Sequence, residues 1–145
     1  MFRKITKNDK DVYFEMSRVF YSCGAALTPI SDEKREKFWK TIVDGVYVNG
    51  YIIECEGQIA GYAITVPYAS QEAGGVVLWV DELFVKPEFR GRGLAKKFFA
   101  FLDTLTDKTA LRLEAEPNNR RAINLYESLG FRRMPYVQMI KYNEE

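Results

Sequence analysis

The side chains able to do chemistry in this sequence cluster around one stretch, residues 79–105, and one common catalytic type is missing. The chain holds no histidine. Ser-His-Asp and Cys-His catalysis are therefore excluded, as are histidine-based zinc sites. Acid–base work falls to Asp, Glu, Tyr, Lys or Cys. Two adjacent carboxylates, Asp81 and Glu82, interrupt a run from Val76 to Val85 rich in β-branched and aromatic residues. Such a run predicts a strand. Strict alternation would then put the two carboxylates on opposite faces, Asp81 sharing the side of Leu83 and Val85.

Lys86-Pro87-Glu88 ends that strand, because proline has no N–H for a ladder. Arg90-Gly91-Arg92-Gly93-Leu94-Ala95 follows, directly before an amphipathic run in which Leu94, Phe98, Phe101, Leu102 and Leu105 share one helical face. The first turn of a helix has N–H groups without internal partners, and they carry the positive end of the dipole. Gly91 and Gly93 keep side chains away from that backbone, and Arg90 and Arg92 add permanent charge. The junction reads as a pyrophosphate cradle. The alternative is an ordinary strand–helix turn with solvated arginines. Two familiar phosphate motifs are absent. Gly93 is followed by Leu94, not by the Lys-Ser/Thr of a Walker loop, and Lys96 stands where the dinucleotide fingerprint needs a small residue.

The elements that must position these residues follow from the patterning. Phe2 to Ile5 is a short strand. Asn8 or Asp9 caps a helix carrying Val12, Met16, Val19 and Phe20. The segment Cys23 to Pro29 breaks it. A second helix starts near Ser31, with Asp32 and Glu33 in its first turn and Phe38, Trp39, Ile42 and Val43 on its apolar face; Gly45 ends it. Tyr51 to Cys55 and Gln58 to Pro67 form a hairpin around Glu56-Gly57, with Gly61 marking a bulge or a close approach. Tyr68 to Gly75 reads as a loop. After the cradle helix come a strand at Ala110 to Ala115 and a helix around Tyr126, closed by Gly130. Strands at Phe131 to Met134 and Val137 to Lys141 finish the chain. The order is β-α-α-β-β-β-α-β-α-β-β, with no repeat, no linker and hence one domain over residues 1–145.

The segment Val85-Lys86-Pro87-Glu88-Phe89-Arg90-Gly91-Arg92-Gly93-Leu94-Ala95 resembles the acetyl-CoA signature of the GNAT acetyltransferase superfamily, whose core is Arg/Gln-x-x-Gly-x-Gly/Ala. Arg90, Gly93 and Ala95 fill those places. Asn119-Arg120-Arg121-Ala122-Ile123-Asn124-Leu125-Tyr126-Glu127-Ser128-Leu129-Gly130-Phe131 is similar to a second element of that superfamily. Two motifs in the right order are far more specific than either alone. The resemblance implies an α/β fold: a mixed, mostly antiparallel, twisted sheet of six to seven strands flanked by four helices. It implies transfer of an acetyl group from acetyl-CoA to a primary amine by direct attack. The backbone of Leu83, Phe84 and Val85 would hold the pantetheine arm as an added strand, at an edge exposed by a bulge or splay. Asp81 or Glu82 would deprotonate the amine, with Asp81 the first choice. Tyr126 would protonate the leaving thiolate, and Asn119 would contact CoA or serve as a plain helix cap. A non-catalytic CoA-binding sensor or assembly subunit is the second reading, and a nucleotide-phosphate binder of another fold the third.

Bulk properties are consistent with this. The 145 residues, 47% hydrophobic, suit one domain with a sizeable core. Net charge is +1, with 21 basic and 20 acidic residues, so no nucleic-acid surface or membrane patch is expected. No apolar run approaches membrane-spanning length and no signal peptide is visible. Cys23 and Cys55 have no metal-type spacing, no metal is expected, and reduced thiols in a cytoplasmic protein are. The acceptor, a small-molecule or peptide amine, is not specified by any pattern. By resemblance such domains often pair through their C-terminal strands, and the sequence does not choose between monomer and homodimer.

Overall fold

The computed structural model describes residues 1–105 and 107–143. Residues Met1–Glu114 form one compact unit and the chain from Ala115 onward forms a second. In the first unit the elements are β1 (Phe2–Lys4), α1 (Lys10–Ser22), α2 (Asp32–Asp44), β2 (Asn49–Cys55), β3 (Gln58–Ser70), β4 (Gly75–Val85), α3 (Leu94–Asp103) and β5 (Ala110–Leu113); the second unit holds α4 (Arg120–Ser128). The sheet runs in sequence order, β1-β2-β3-β4-β5. Its first three pairings are antiparallel and β4–β5 is parallel.

Helix starts are fixed locally. Ser31 Oγ accepts the Lys34 N–H at 3.2 Å, and Gly45, at φ 65°, closes α2 in the left-handed region. At α1 the expected cap behaves differently. The Asp9 carboxylate takes Thr6 N–H at 2.8 Å and a two-pronged contact from Arg3 at 2.8 and 2.9 Å, while Arg3 Nε reaches Glu54 at 2.8 Å. β1, β2 and the start of α1 are thereby tied by charge-assisted bonds, and the Arg3 guanidinium holds the Asp9 carboxyl down to about 2.

Two apolar layers sandwich the sheet. Tyr13, Phe14, Met16, Trp39 and Ile42 of α1 and α2 pack on Ile52, Tyr62, Ile64 and Phe84. On the other face Leu94 of α3 and Phe89 meet Ile53, Ala60, Leu83 and Val85. The strand boundaries are longer than the patterning suggested: β3 runs through Pro67 to Ser70 and β4 starts at Gly75. Pro67 is exposed, and the strand continues past it into the Tyr68–Ser70 stretch, where a loop was expected.

The last two expected strands are absent. Residues 131–143 have no regular secondary structure, so among the described residues the sheet has five strands, not six or seven. A β-branched and aromatic run becomes a strand only when a ladder and a packing face accept it. Pro135 interrupts this run, and Val137 and Met139, which alternation would bury, are 86% and 93% exposed. Within the second unit, α4 is capped at both ends. Asn119 Oδ1 accepts the Ala122 N–H at 3.2 Å. At the far end Gly130 N–H reaches Glu127 O and Phe131 N–H reaches Tyr126 O, both at 3.0 Å, with the Phe131 ring 5.9 Å from that of Tyr126. That is a Schellman closure with its apolar contact.

Candidate active site

The site is built on an irregularity in β4. Ile64 of β3 faces Glu82 and Thr65 faces Val80, so Asp81 is an extra residue with no partner. A bulge of this kind breaks the alternation of faces. Trp79 lies opposite Val66, which packs in the layer of α1 and α2, and its indole N–H donates to Asp81 Oδ1 at 3.2 Å. Glu82 precedes Phe84 by two residues, and Phe84 belongs to the same layer. Both carboxylates therefore sit on the α1/α2 face and feel each other's charge. The expectation of opposite faces is corrected, because strict alternation fails at the inserted residue.

The two carboxylates differ sharply. Glu82 is 2% exposed; Tyr62 O–H donates to its Oε1 at 3.2 Å, and its Oε2 is buried without a hydrogen-bond partner. Burial raises its carboxyl to about 7, against the opposing pull of the Tyr21 and Tyr62 hydroxyls and the Arg35 guanidinium, with the neighbouring Asp81 adding to the rise. Asp81 is open to solvent, and its carboxyl is raised by desolvation and drawn back by the Trp79 indole. Around Glu82 stand three tyrosines, Tyr13, Tyr21 and Tyr62, whose phenols burial holds well above their ordinary range. Tyr13 meets Tyr62 edge-on at 5.0 Å. The signal for this cluster was only their aromatic type, which a core explains equally well; their convergence on one carboxylate depends on the β3–β4 register.

Buried Arg35 locks the wall opposite. Its Nε donates to Ser17 Oγ at 3.1 Å, and its Nη1 to the Ile30 carbonyl at 3.2 Å and Asp32 Oδ1 at 2.8 Å. One guanidinium thus fixes α1, the start of α2 and the end of the loop between them. Sequence reasoning missed Arg35, since one arginine inside a charged run looks solvated.

Beyond the bulge, β4 has no ladder with β5. The parallel pairing covers only Val77–Val80 against Ala110–Leu113. From Asp81 to Val85 that edge of β4 has no strand partner among the described residues. Gly61 explains how β3 stays close on the other side: a Cβ there would overlap the Phe84 carbonyl oxygen and lie 3.1 Å from Val85 Cα. A hollow of about 130 Å³, lined by Met16, Val19, Phe84 and Lys86 among others, opens between α1 and the end of β4.

The edge leads into the glycine turn. Gly91 and Gly93 have φ of 78° and 72°, a region costly for any residue with a Cβ. The Lys97 N–H is bonded to the Gly93 carbonyl at 3.0 Å, so the N–H groups of Leu94, Ala95 and Lys96 precede the helix's own ladder. Leu94 is buried and anchors α3, while Arg90 through Gly93 are exposed. The arginines are engaged elsewhere. Arg90 Nε donates to Val85 O at 3.0 Å, and Arg92 pairs with Glu56 at 3.1 Å over the Phe89 ring. Such an exposed pair is worth roughly 0–1 kcal/mol.

In the second unit, Tyr126 is half-buried on α4 and burial raises its phenol; Asn119 spends its side-chain oxygen on the helix cap. Among the described residues no helix is long and apolar enough to cross a membrane.

A mixed sheet with an open β4 edge beside a glycine-led helix N-terminus matches a known class. The family model described as "Acetyltransferase (GNAT) domain" matches residues 46–133, more than half of the chain. The chain belongs to the GNAT acetyltransferase family. Among curated relatives it is 36% identical over 56 residues to the bovine (Bos taurus) thialysine N-epsilon-acetyltransferase, covering 37% of this chain and 33% of the relative. It is 26% identical over 104 residues to a Bacillus subtilis (strain 168) protein provisionally named a ribosomal-protein-alanine N-acetyltransferase, covering 66% of this chain and 62% of that one. The chain thus spans less than two thirds of either relative. Among solved structures it matches the aminoglycoside acetyltransferase AAC(6')-Iy in complex with a bisubstrate analogue, with a TM-score of 0.79 at 18% identity, over 99% of this chain and 97% of that one. It also matches a ribosomal-protein-alanine N-acetyltransferase of Brucella melitensis biovar Abortus 2308, with a TM-score of 0.73 at 15% identity, over 98% of each chain. At these identities the likeness is one of fold.

Proposed function

We propose that this protein is an N-acetyltransferase that moves the acetyl group of acetyl-CoA to a primary amine, by direct attack when donor and acceptor are both bound. The observation that carries the proposal is the buried, unpaired Oε2 of Glu82, at the head of a strand edge that runs to a helix N-terminus. An orphaned buried acceptor costs about 1–3 kcal/mol and calls for a reason. Supplying a base is such a reason. The family match from residue 46 to 133 runs across the border of the two units, which supports reading residues 1–145 as one acetyltransferase domain.

In this reading the diphosphate of CoA rests on the N–H groups of residues 91–96, and Arg92 turns from Glu56 to meet it. The pantetheine amides pair with the open edge at Leu83, Phe84 and Val85. The acceptor arrives as an ammonium, with a pKa of about 10, beside Asp81. Glu82 removes its proton, and a carboxyl poised near 7 suits that task better than the exposed Asp81. The freed nitrogen attacks the thioester carbonyl; the C–N bond forms, the C–S bond breaks, Tyr126 gives its phenolic proton to the CoA thiolate, and the second proton shed by the nitrogen as the amide forms restores the phenol through solvent. Two free cysteines, Cys23 and Cys55, fit a reducing compartment such as the cytoplasm.

The test is thiol release from acetyl-CoA across a panel of amines and short peptides. Release that depends on a primary amine is expected, and Tyr126→Phe should slow it by about 10²-fold while CoA affinity holds. Thiol release indifferent to every amine, in wild type, would remove the proposal. Unchanged turnover in Tyr126→Phe would remove only the role of the phenol.

A further inference from the structure

On the α1/α2 face of the sheet, Tyr68 and Arg112 lie outside the chemistry described so far, and they meet Trp79. They form one unit. Arg112 pairs in parallel register with Trp79, so the two side chains leave the sheet on the same face. The guanidinium lies over the Trp79 ring, 5.3 Å from its centre. Its Nη1 donates to Tyr68 Oη at 3.2 Å. Trp79 in turn holds Asp81 through the indole N–H. An unbroken row therefore runs across the face: Arg112, Trp79, Asp81, Glu82.

Arg112 is unusual in two ways. It is the only basic residue on strands β2 to β5. No carboxylate among the described residues lies within ion-pair distance of it. Most arginines of the first unit are occupied: Arg3, Arg18, Arg35 and Arg92 each hold a carboxylate. Arg112 instead lies over an indole and has one prong set by a phenol. A cation–π contact of this kind uses no N–H donor, so the remaining guanidinium N–H groups can meet a carboxylate. Half-buried on a strand, the group loses little freedom when an anion binds.

Resting on the transferase reading above, we infer that the acceptor is a primary amine carrying a carboxylate, its ammonium at Asp81 and Glu82 and its carboxylate on Arg112. The row is dipolar, acidic where the amine must lose its proton and basic one residue-width away across Trp79. A polycation would find only the acidic end favourable and would meet Arg112 as a like charge. A free amino acid or an acidic peptide offers both signs.

The experiment compares acceptors that differ only in the carboxylate: lysine against lysinamide, and alanyl-glutamate amide against alanyl-glutamine amide. The quantity read is the ratio of kcat/KM within each pair, by thiol release from acetyl-CoA. In wild type at least one pair should favour the carboxylate by tenfold or more, and the favoured series tells free amino acid from peptide. In Arg112→Gln the ratio should fall to near one; in Arg112→Lys, which keeps charge without the planar fork, it should be intermediate. Tyr68→Phe, which frees one prong, should lower it several-fold. Turnover with ratios near one in wild type, or a ratio that survives in Arg112→Gln, overturns the inference and leaves the transferase reading standing. Absence of turnover with every amine overturns both.

Discussion

Glu82→Gln should lower kcat by roughly 10²–10³-fold and, at the same time, make the protein more stable at pH 8. The two effects come from one cause. The carboxyl is 2% exposed, with one oxygen unpartnered, and is raised from an ordinary 4.5 to about 7. Its folded value lies above its unfolded one, so between those values the folded chain holds the extra proton. Stability then falls as pH rises from about 4.5 to about 7, and above 7 the fold carries the full cost, on the order of 3 kcal/mol. Glutamine carries no charge and escapes that cost, although its amide must also find partners. A gain of about 2 kcal/mol at pH 8, equal to several degrees in thermal midpoint, is expected, shrinking toward zero at pH 4.5. In wild type, turnover should rise with pH until about 7 and then level, as the base ionises. Midpoints of wild type and variant that differ equally at pH 4.5 and pH 8 would show that Glu82 is not the strained group described. An unchanged kcat would show that it is not the base.

Gly61→Ala should be among the most damaging single changes to the fold, costing about 3 kcal/mol or more. The reason is geometric. Gly61 faces Val85 in the β3–β4 ladder, and a methyl group at its α-carbon would collide with the Phe84 carbonyl oxygen. That oxygen is backbone, so no rotamer change relieves the overlap. β3 and β4 must part, and with them the register that sets Glu82 against Tyr62. The proposed pantetheine edge would move too. Denaturant unfolding should show a midpoint far below wild type, and Gly61→Ser should be at least as poor. An alanine variant within about 0.5 kcal/mol of wild type would contradict the close packing of these strands.

The scaffold of the first unit was legible because its signals are local and periodic. Ser31 and Gly45 bound α2 by capping chemistry, Glu56-Gly57 turned the hairpin, and the apolar face of Leu94, Phe98 and Leu102 identified α3. The glycine turn was legible for the same reason, since positive φ at Gly91 and Gly93 is written in residue type. The final strands were not. A run such as residues 137–141 carries β propensity without a statement of its partner, and here it has no ladder. Asp81 was misplaced for a related reason. Periodicity assigns faces only while the register is unbroken, and the inserted residue is decided by the pairing of Ile64 and Thr65 with β4. Arg112, Trp79 and Tyr68 come together across three strands, a long-range convergence to which no short motif corresponds.

The central claim is that main-chain donors at the start of α3 grip the phosphates of a thioester carrier. Calorimetric titration of the wild-type protein with pantetheine, 4′-phosphopantetheine and CoA addresses it without any knowledge of the acceptor. The account predicts at least a tenfold gain in affinity when the first phosphate is added, and a further gain with CoA, both weakening as salt rises. Three ligands binding with equal affinity, insensitive to salt, would contradict it.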